Sequence, residues 1–380
     1  MLFRSVIGHQ EIKEKLIKSV NNGRISHAQL FLGPEGSGNL AMALAYVQYL
    51  FCEDRKEEDS CGVCPSCLKI SKLAHPDVHF SFPFIIKSNT DISNNYIDQF
   101  RKAVLNDPYL NQIKWYAQLG EEKKQGIINV AESAEISKKL SLKSYEGGFK
   151  VSLIWTPENL NISAANKMLK ILEEPPDKTV IILVANESEK MLKTILSRTQ
   201  LVKIPRLSNE EITKGLIDKF EMENDLAKNL AAMSDGNYLI ARENALNVGS
   251  TNDNFELFKD WMRLCFKRDI KGVTGWVQKI ATVGREKQKH FLTYGLHLIR
   301  QCAVLNYGAE NLVNMGGDER VFMQKFAPYI THKNLQNYIS AFDLAYQHIQ
   351  RNANPKILFT DLSFQILIML SSVSGKSRGD

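Results

Sequence analysis

Residues 33–40, GPEGSGNL, have the spacing of a loop that binds phosphate. Such a loop follows the pattern G-x-x-x-x-G-K-[ST] and joins a strand to a helix. Gly33 and Gly38 occupy the two glycine positions, and Gly36 lies between them. The backbone N–H groups of such a loop and the first turn of the helix can hold an anion. The sequence therefore predicts a nucleotide-binding frame formed by Gly33, Gly36, Gly38 and Asn39.

The side chains that would let this loop act on ATP are missing. Asn39 replaces the lysine that contacts the β- and γ-phosphates, and Leu40 replaces the hydroxyl that binds Mg²⁺. A later strand, KVSLIW at 150–155, ends in Trp155 where an aspartate would hold the same Mg²⁺. Because two separate parts of one metal site are lost, we expect no hydrolysis of ATP by this chain. A turn that binds nothing and a site that holds ATP or ADP without hydrolysis both remain open.

Four cysteines follow the spacing C-x8-C-x2-C-x2-C: Cys52, Cys61, Cys64 and Cys67. Four thiolates can surround Zn²⁺ as a tetrahedron, and a site with no open position is structural rather than catalytic. The chain starts without an apolar signal core, and no apolar run reaches the ~18 residues of a membrane span, so we expect a cytoplasmic protein. In that reducing compartment, clustered cysteines favour a metal over disulfides.

Apolar runs of strand length alternate with helical patterns over residues 1–207. The runs lie at 28–32, 78–82, 150–155 and 179–185. Nearly continuous apolar strands separated by helices predict a parallel sheet that is covered on both faces. Between the second and third runs, residues 87–125 are rich in Asn and Asp, and we interpret them as an irregular surface insertion.

The strand patterns end after Pro205, and helical patterns follow. Ser208 and Glu211 have the spacing of a capping box that opens a helix, and residues 208–249 are predicted to form a small helical unit. From 250 to 380, apolar residues recur at helical spacing, which predicts an all-α domain. The 44% apolar content is ordinary for a globular protein, and the net charge of +6 is too small to indicate a nucleic-acid-coating protein.

A series of short motifs runs along the first 200 residues. In chain order they are VIGHQ at 6–10, SHA at 26–28, the altered loop, the four cysteines, HPD at 75–77, NKMLKILEEPP at 166–176 and TILSRT at 194–199. With these motifs the chain resembles the delta-prime family of bacterial DNA polymerase III clamp-loader subunits, which are AAA+ proteins. The resemblance implies an α/β RecA-like AAA+ module at 1–207 with a zinc module at 52–67, a helical lid at 208–249, and an all-α collar at 250–380.

The resemblance also implies residues that act on nucleotide. In this family a Ser-Arg-Cys motif carries an arginine finger that reaches ATP on the neighbouring subunit. Here the motif reads SRT at 197–199, so Arg198 is expected to act in trans. A guanidinium can stabilise charge on a transferring phosphoryl group, although a lone arginine would otherwise be assigned to a surface salt bridge. Asn186 lies near the polar sensor position, and Leu239, close to Arg242, matches the position of a second sensor arginine.

The resemblance implies a non-hydrolysing subunit that supports ATP-driven loading of a sliding clamp on primed DNA. Its expected partners are ATPase and clamp-opening subunits in a pentamer, the clamp, and primed DNA through the complex, with no membrane. The alternative is a self-contained AAA+ DNA-remodelling ATPase with an unorthodox site. A zinc-dependent DNA-binding module is disfavoured, because the loop EDRKEEDS between the first two cysteines is net acidic.

Overall fold

The computed structural model describes residues 1–88, 90–121, 124–246, 251–306, 317–351 and 353–374. The chain divides into two compact units. The first contains Met1–Glu221 and Ser234–Ala241, and the second contains Met222–Met233 and Arg242–Asp380. The residues expected to form the lid, 208–249, are therefore shared between both units. The expected boundary between residues 249 and 250 lies outside the described residues, and the three domain ranges stay predictions.

A five-stranded parallel sheet forms the centre of the first unit. Its strands are β1 (Ala28–Leu32), β2 (Val78–Ser81), β3 (Lys150–Trp155), β4 (Thr179–Ala185) and β5 (Gln200–Lys203). They lie in the order β2-β3-β4-β1-β5, and each neighbouring pair is parallel. The central strands are buried almost throughout, as expected for a sheet covered on both faces. The four predicted strands are confirmed, whereas the short and mostly exposed β5 was not predicted.

Helices precede, connect and follow these strands. They are α1 (Gln10–Asn21), α2 (Asn39–Phe51), α3 (Pro65–Ser71), α4 (Ile97–Asn106), α5 (Gln112–Gln118), α6 (Val130–Ser141), α7 (Ile162–Glu173), α8 (Lys193–Leu196) and α9 (Asn209–Phe220). The predicted capping box at the start of α9 is confirmed, because the Ser208 and Glu211 side chains each accept from the other residue's backbone N–H. Helix α2 is buried from Asn39 to Leu50, so the residues after the glycine loop belong to the core.

The segment 87–125 is built around aromatic rings, and the interpretation as an irregular surface insertion is wrong for its described residues. It contains α4 and α5. Phe100 of α4 stacks on Phe82, with ring centroids 3.9 Å apart. Trp115 of α5 is fully buried, and its Nε1 donates to the Pro83 carbonyl at 2.7 Å. The composition hid this core, because a few widely spaced aromatic residues are scattered among many polar ones.

The second unit is helical. Its helices are α10 (Asn224–Met233), α12 (Thr251–Lys267), α13 (Ile270–Thr282), α14 (Arg285–Asn306), α15 (Gly317–Phe326), α16 (Leu335–Gln350) and α17 (Pro355–Ser374), while α11 (Tyr238–Leu246) crosses the division between the units. Trp261 stacks on Trp276 at 4.5 Å, and its Nε1 donates to the Ser363 hydroxyl at 2.8 Å. This core confirms the all-α domain expected for the last third of the chain.

None of the described helices is both long enough and apolar enough to cross a membrane.

Replacing Trp115 with alanine should lower the free energy of unfolding by about 3–5 kcal/mol, because the change leaves a large cavity in the aromatic core. Urea unfolding followed by circular dichroism measures this. The matched control is Ile113→Ala in the same helix, where the side chain is 38% exposed and the expected change is within about 0.5 kcal/mol. Equal small losses in both variants would show that the segment lies outside the core.

Candidate functional site

The loop between β1 and α2 turns sharply at its glycines. Gly36 and Gly38 have φ angles of 78° and 88°, a left-handed backbone that favours glycine. Gly38 is the residue before α2, so the loop leads directly into the helix N-terminus. Gly33 is tightly enclosed, since a Cβ atom there would lie 2.3 Å from the Ile204 carbonyl oxygen. The three glycines are therefore required by the backbone of the loop itself, with or without a ligand.

Asn39, at the position of the missing lysine, is held by the loop and the sheet. Its side chain is buried, and its Nδ2 donates to the Gly33 carbonyl at 3.1 Å and to the Ala185 carbonyl at 3.0 Å. The same Nδ2 lies 3.0 Å from Asn186 Oδ1. Its own Oδ1 accepts the N–H of Leu40 at 2.8 Å. A lysine would extend a charge toward phosphate, whereas this amide ties the loop to the end of β4.

Asn186, the candidate sensor, directly follows β4 and continues this hydrogen-bond chain. Its backbone N–H donates to Glu158 Oε1 at 3.1 Å. Burial raises the pKa of the Glu158 carboxyl to about 7. The other oxygen, Oε2, is buried and has no hydrogen-bond partner among the described residues. The glycine loop, the turn after β3 and the end of β4 are thus joined by side chains of this chain.

Trp155, at the position of the Mg²⁺ aspartate, belongs to the core. It ends β3, is 2% exposed, and its ring lies 5.8 Å from that of Phe100. An indole donates one hydrogen bond and offers no lone pair to a metal. The segment 87–125 supplies the aromatic partner of this indole.

Two further side chains lie against the glycines, and the sequence did not predict either. A Cβ atom on Gly38 would lie 2.9 Å from the Tyr109 ring, and the Tyr109 hydroxyl accepts the Ile7 N–H at 2.9 Å. A Cβ atom on Gly36 would lie 1.8 Å from Asn237 Oδ1. The segment 87–125 thus packs directly against the loop through Tyr109.

Leu239, the second sensor position, offers no charge to the loop. Its side chain is buried, and its N–H donates to Asn237 Oδ1 at 3.0 Å. Arg242 is also largely buried, at 8% exposure.

The structure brings together the four predicted metal ligands, whose sulfur atoms all lie within 4.8 Å of one another. A tetrahedral zinc site with Zn–S bonds of ~2.3 Å has sulfur atoms about 3.8 Å apart, so this donor set fits it. The Cys61 sulfur accepts N–H groups from Val63 at 3.5 Å and Cys64 at 3.3 Å. These two bonds lower the pKa of Cys61 to about 7 and favour the thiolate that binds metal.

Arg198 lies at the surface between α8 and β5. Its Nε donates to Glu173 Oε1 at 2.7 Å, and its Nη2 lies 2.5 Å from the same oxygen. Its Nη1 donates to the Thr194 carbonyl at 2.9 Å. The side chain is 35% exposed, so the charge is supported by the protein and remains accessible. Glu173 was not singled out from the sequence, even though it belongs to the NKMLKILEEPP motif.

Purified protein should contain about one zinc ion per chain, and Cys61→Ser should lower this content and the melting temperature, because the tetrahedral site loses a ligand. Atomic emission and thermal unfolding measure the two effects. Cys302→Ser is the matched control, since this buried cysteine lies in the core of the second unit. Full zinc content in Cys61→Ser would contradict the four-sulfur site.

Tyr109→Ala should strengthen the binding of a fluorescent ADP analogue to the isolated chain by about tenfold, or ~1.4 kcal/mol, because the ring no longer competes for the loop. Tyr109→Phe keeps the ring and should stay within about threefold of the unchanged protein. Circular dichroism checks that both variants fold. Equal affinities in the folded alanine variant and the unchanged protein would mean that the ring does not obstruct nucleotide.

Known proteins give independent information about the family. A family model described as DNA polymerase III, delta subunit, matches residues 8–208. The chain is 25% identical over 363 residues to subunit delta-prime of DNA polymerase III from Escherichia coli K12, covering 93% of this chain and 92% of that protein. It is 31% identical to the delta-prime subunit of Yersinia pestis over 48% of this chain and 43% of that protein. It is 25% identical to subunit tau of Bacillus subtilis over 62% and 35%.

Among solved structures, the chain is similar to a DNA polymerase III gamma subunit-related protein from Thermotoga maritima. The TM-score is 0.43 at 15% identity, over 94% of this chain and 99% of that chain. The family model covers more than half of this chain. The chain itself folds as an α/β module of five parallel strands followed by helices. The chain therefore belongs to the delta-prime family of DNA polymerase III clamp-loader subunits, which are AAA+ proteins.

Proposed function

We propose that this chain is a non-hydrolysing clamp-loader subunit that acts on the ATP of a neighbouring subunit through Arg198. The observation that carries the proposal is a contrast between two places in the first unit. Asn39 and Trp155 leave its own loop without a lysine and without the Mg²⁺ aspartate, and both side chains are committed to internal contacts. Arg198 keeps an accessible charge at the surface.

A guanidinium supplied by a neighbour accelerates phosphoryl transfer because it stabilises negative charge that develops on the transferred group. Arginine suits this role better than lysine, since its planar fork donates two hydrogen bonds in a fixed direction. The charge of Arg198 then serves a neighbour's nucleotide, and the neighbour contributes the lysine and the magnesium ligands. Relatives named delta-prime, gamma and tau are all subunits of DNA polymerase III.

In this proposal the partners are the ATPase and clamp-opening subunits of a pentamer in the cytoplasm. The helices beyond residue 250 act as the collar that holds the pentamer together, and residues 208–249 act as the lid. The complex loads a sliding clamp on primed DNA. Zn²⁺ has a structural role at Cys52, Cys61, Cys64 and Cys67.

The altered loop is proposed to hold ATP or ADP weakly, without hydrolysis. Its candidate contacts are the backbone of Gly33, Gly36, Gly38 and Asn39 with the side chain of Asn186. The backbone N–H groups at a helix N-terminus attract phosphate even without a lysine.

Arg198→Ala should lower the DNA-stimulated ATPase rate of the reconstituted complex by about 10³-fold or more, the usual effect of losing an arginine finger. The isolated variant should unfold like the unchanged chain, because an exposed ion pair contributes only ~0–1 kcal/mol. Lys190→Ala is the control, since this exposed cation also pairs with an acid, Glu187, in the same part of the chain. An unchanged ATPase rate in Arg198→Ala would refute the finger.

The second candidate function is a self-contained AAA+ DNA-remodelling ATPase with an unorthodox site. Its supporting observation is Glu158, a buried carboxyl that is joined to the loop through Asn186. An ATPase assay on the purified chain, without partners, separates the two functions. Turnover that is lost on Glu158→Gln would favour the second candidate, and no turnover is expected for the clamp-loader subunit.

A further inference from the structure

The surface around Arg198 is built from three motifs that lie far apart in the sequence. His27, in the SHA motif just before β1, has its Nε2 3.1 Å from the Leu172 carbonyl oxygen at the end of α7. The next residue, Glu173, holds Arg198. Arg198 itself lies just after α8, in the TILSRT motif, which begins within that helix. The SHA motif thus contacts the NKMLKILEEPP motif at Leu172, and the TILSRT motif contacts it at the next residue, Glu173.

The guanidinium of Arg198 is held in a fixed orientation by its own chain. Nε and Nη2 share Glu173 Oε1, while Nη1 donates to the Thr194 carbonyl at 2.9 Å and to the Ser197 hydroxyl at 3.3 Å. Hydrogen bonds thus fix Nε and Nη1, while Nη2 makes an ion-pair contact with Glu173. Within the described residues Nη2 donates no hydrogen bond, so its N–H groups can meet an acceptor from outside the chain.

Helix α7 itself gives no reason for an acid at position 173. Glu173 is the last residue of this helix, where the backbone carbonyls create a partial negative charge. A carboxylate is unfavourable there, and Lys170 in the same turn is the favourable choice. Pro175 follows two residues later and prevents the helix from continuing. What the Glu173 carboxylate gains at this position is its contact with Arg198.

We propose that Glu173 is a positioning residue for the arginine finger and prepares the guanidinium for the phosphate of the neighbouring subunit. This inference rests on the proposed function. A negative charge beside Arg198 weakens the attraction of that arginine for phosphate, so the useful contribution of Glu173 is its oxygen acceptor. An arginine held in one orientation before the neighbour docks loses less side-chain freedom when it meets the phosphate.

The test uses the reconstituted clamp-loader complex and separates kcat from KM. Glu173→Ala should lower kcat for ATP by roughly 10- to 100-fold, because misplacing a catalytic group by about 1 Å has effects of this size. The KM for ATP should not change, because the neighbour binds the nucleotide. Glu173→Gln should restore kcat to within about threefold of the unchanged complex, since an amide oxygen can still accept the Nε N–H of Arg198.

Glu174→Ala is the matched control, because it removes an exposed carboxylate one residue away whose side chain makes no ion pair within the described ranges. This variant should keep the full kcat. Size-exclusion chromatography checks that each variant enters the complex, and thermal unfolding checks the isolated chain. Glu173→Gln keeps the test informative even where Glu173→Ala fails to assemble.

Four other results would contradict the positioning role of Glu173. Unchanged kcat in Glu173→Ala, with activity lost in Arg198→Ala, would overturn the positioning role alone. A higher kcat in Glu173→Ala would mean that Glu173 competes with phosphate for Arg198, and it would also overturn the proposal. Equal losses of kcat in Glu173→Gln and Glu173→Ala would assign the effect to the charge of Glu173 and not to its oxygen acceptor, and would overturn the proposal. Full activity in Arg198→Ala would refute the proposed function and the positioning role together.

Discussion

The site depends on the position of β4, which lies between β1 and β3 and pairs with both in parallel. Leu32 pairs with Ala185 at the end of both strands, and Trp155 of β3 pairs with Val184. Because all carboxyl ends of a parallel sheet open at one edge, the glycine loop, the turn after β3 and Asn186 must meet there. The amide of Asn39 then closes the gap between the loop and β4 with hydrogen bonds.

This arrangement explains how the polar groups of Asn39 in the loop are satisfied without a ligand. A lysine directed into an empty phosphate site would be a charge without a partner, and burying such a charge is costly. Asn39 has no charge, and both ends of its amide are satisfied within the chain. Asn39 and Trp155 are therefore part of the internal structure, whereas Arg198 is held at the surface.

Local patterns in the sequence predicted most of the architecture. The strands β1 to β4, the Ser208 capping box, the all-α region and the cysteine cluster all depend on short-range spacing. The features that were missed depend on contacts between distant residues. Glu173 and Arg198 are 25 positions apart, and the Tyr109 hydroxyl bonds to Ile7 across 102 positions. Such contacts exist only after the sheet has formed, so composition and periodicity carry no trace of them.

The packing of Trp155 restricts which residues can replace it. The full set of side chains of an ATP-hydrolysing loop would need a lysine at position 39, a hydroxyl at position 40 and an aspartate at position 155. The last change would place a carboxylate where an indole now packs against Phe100, and a buried carboxylate without a partner destabilises the fold. An aspartate at position 155 would therefore need a rearrangement of the aromatic core around Phe100, and the contacts of one tryptophan connect the chemistry of the loop to the packing of the segment 87–125.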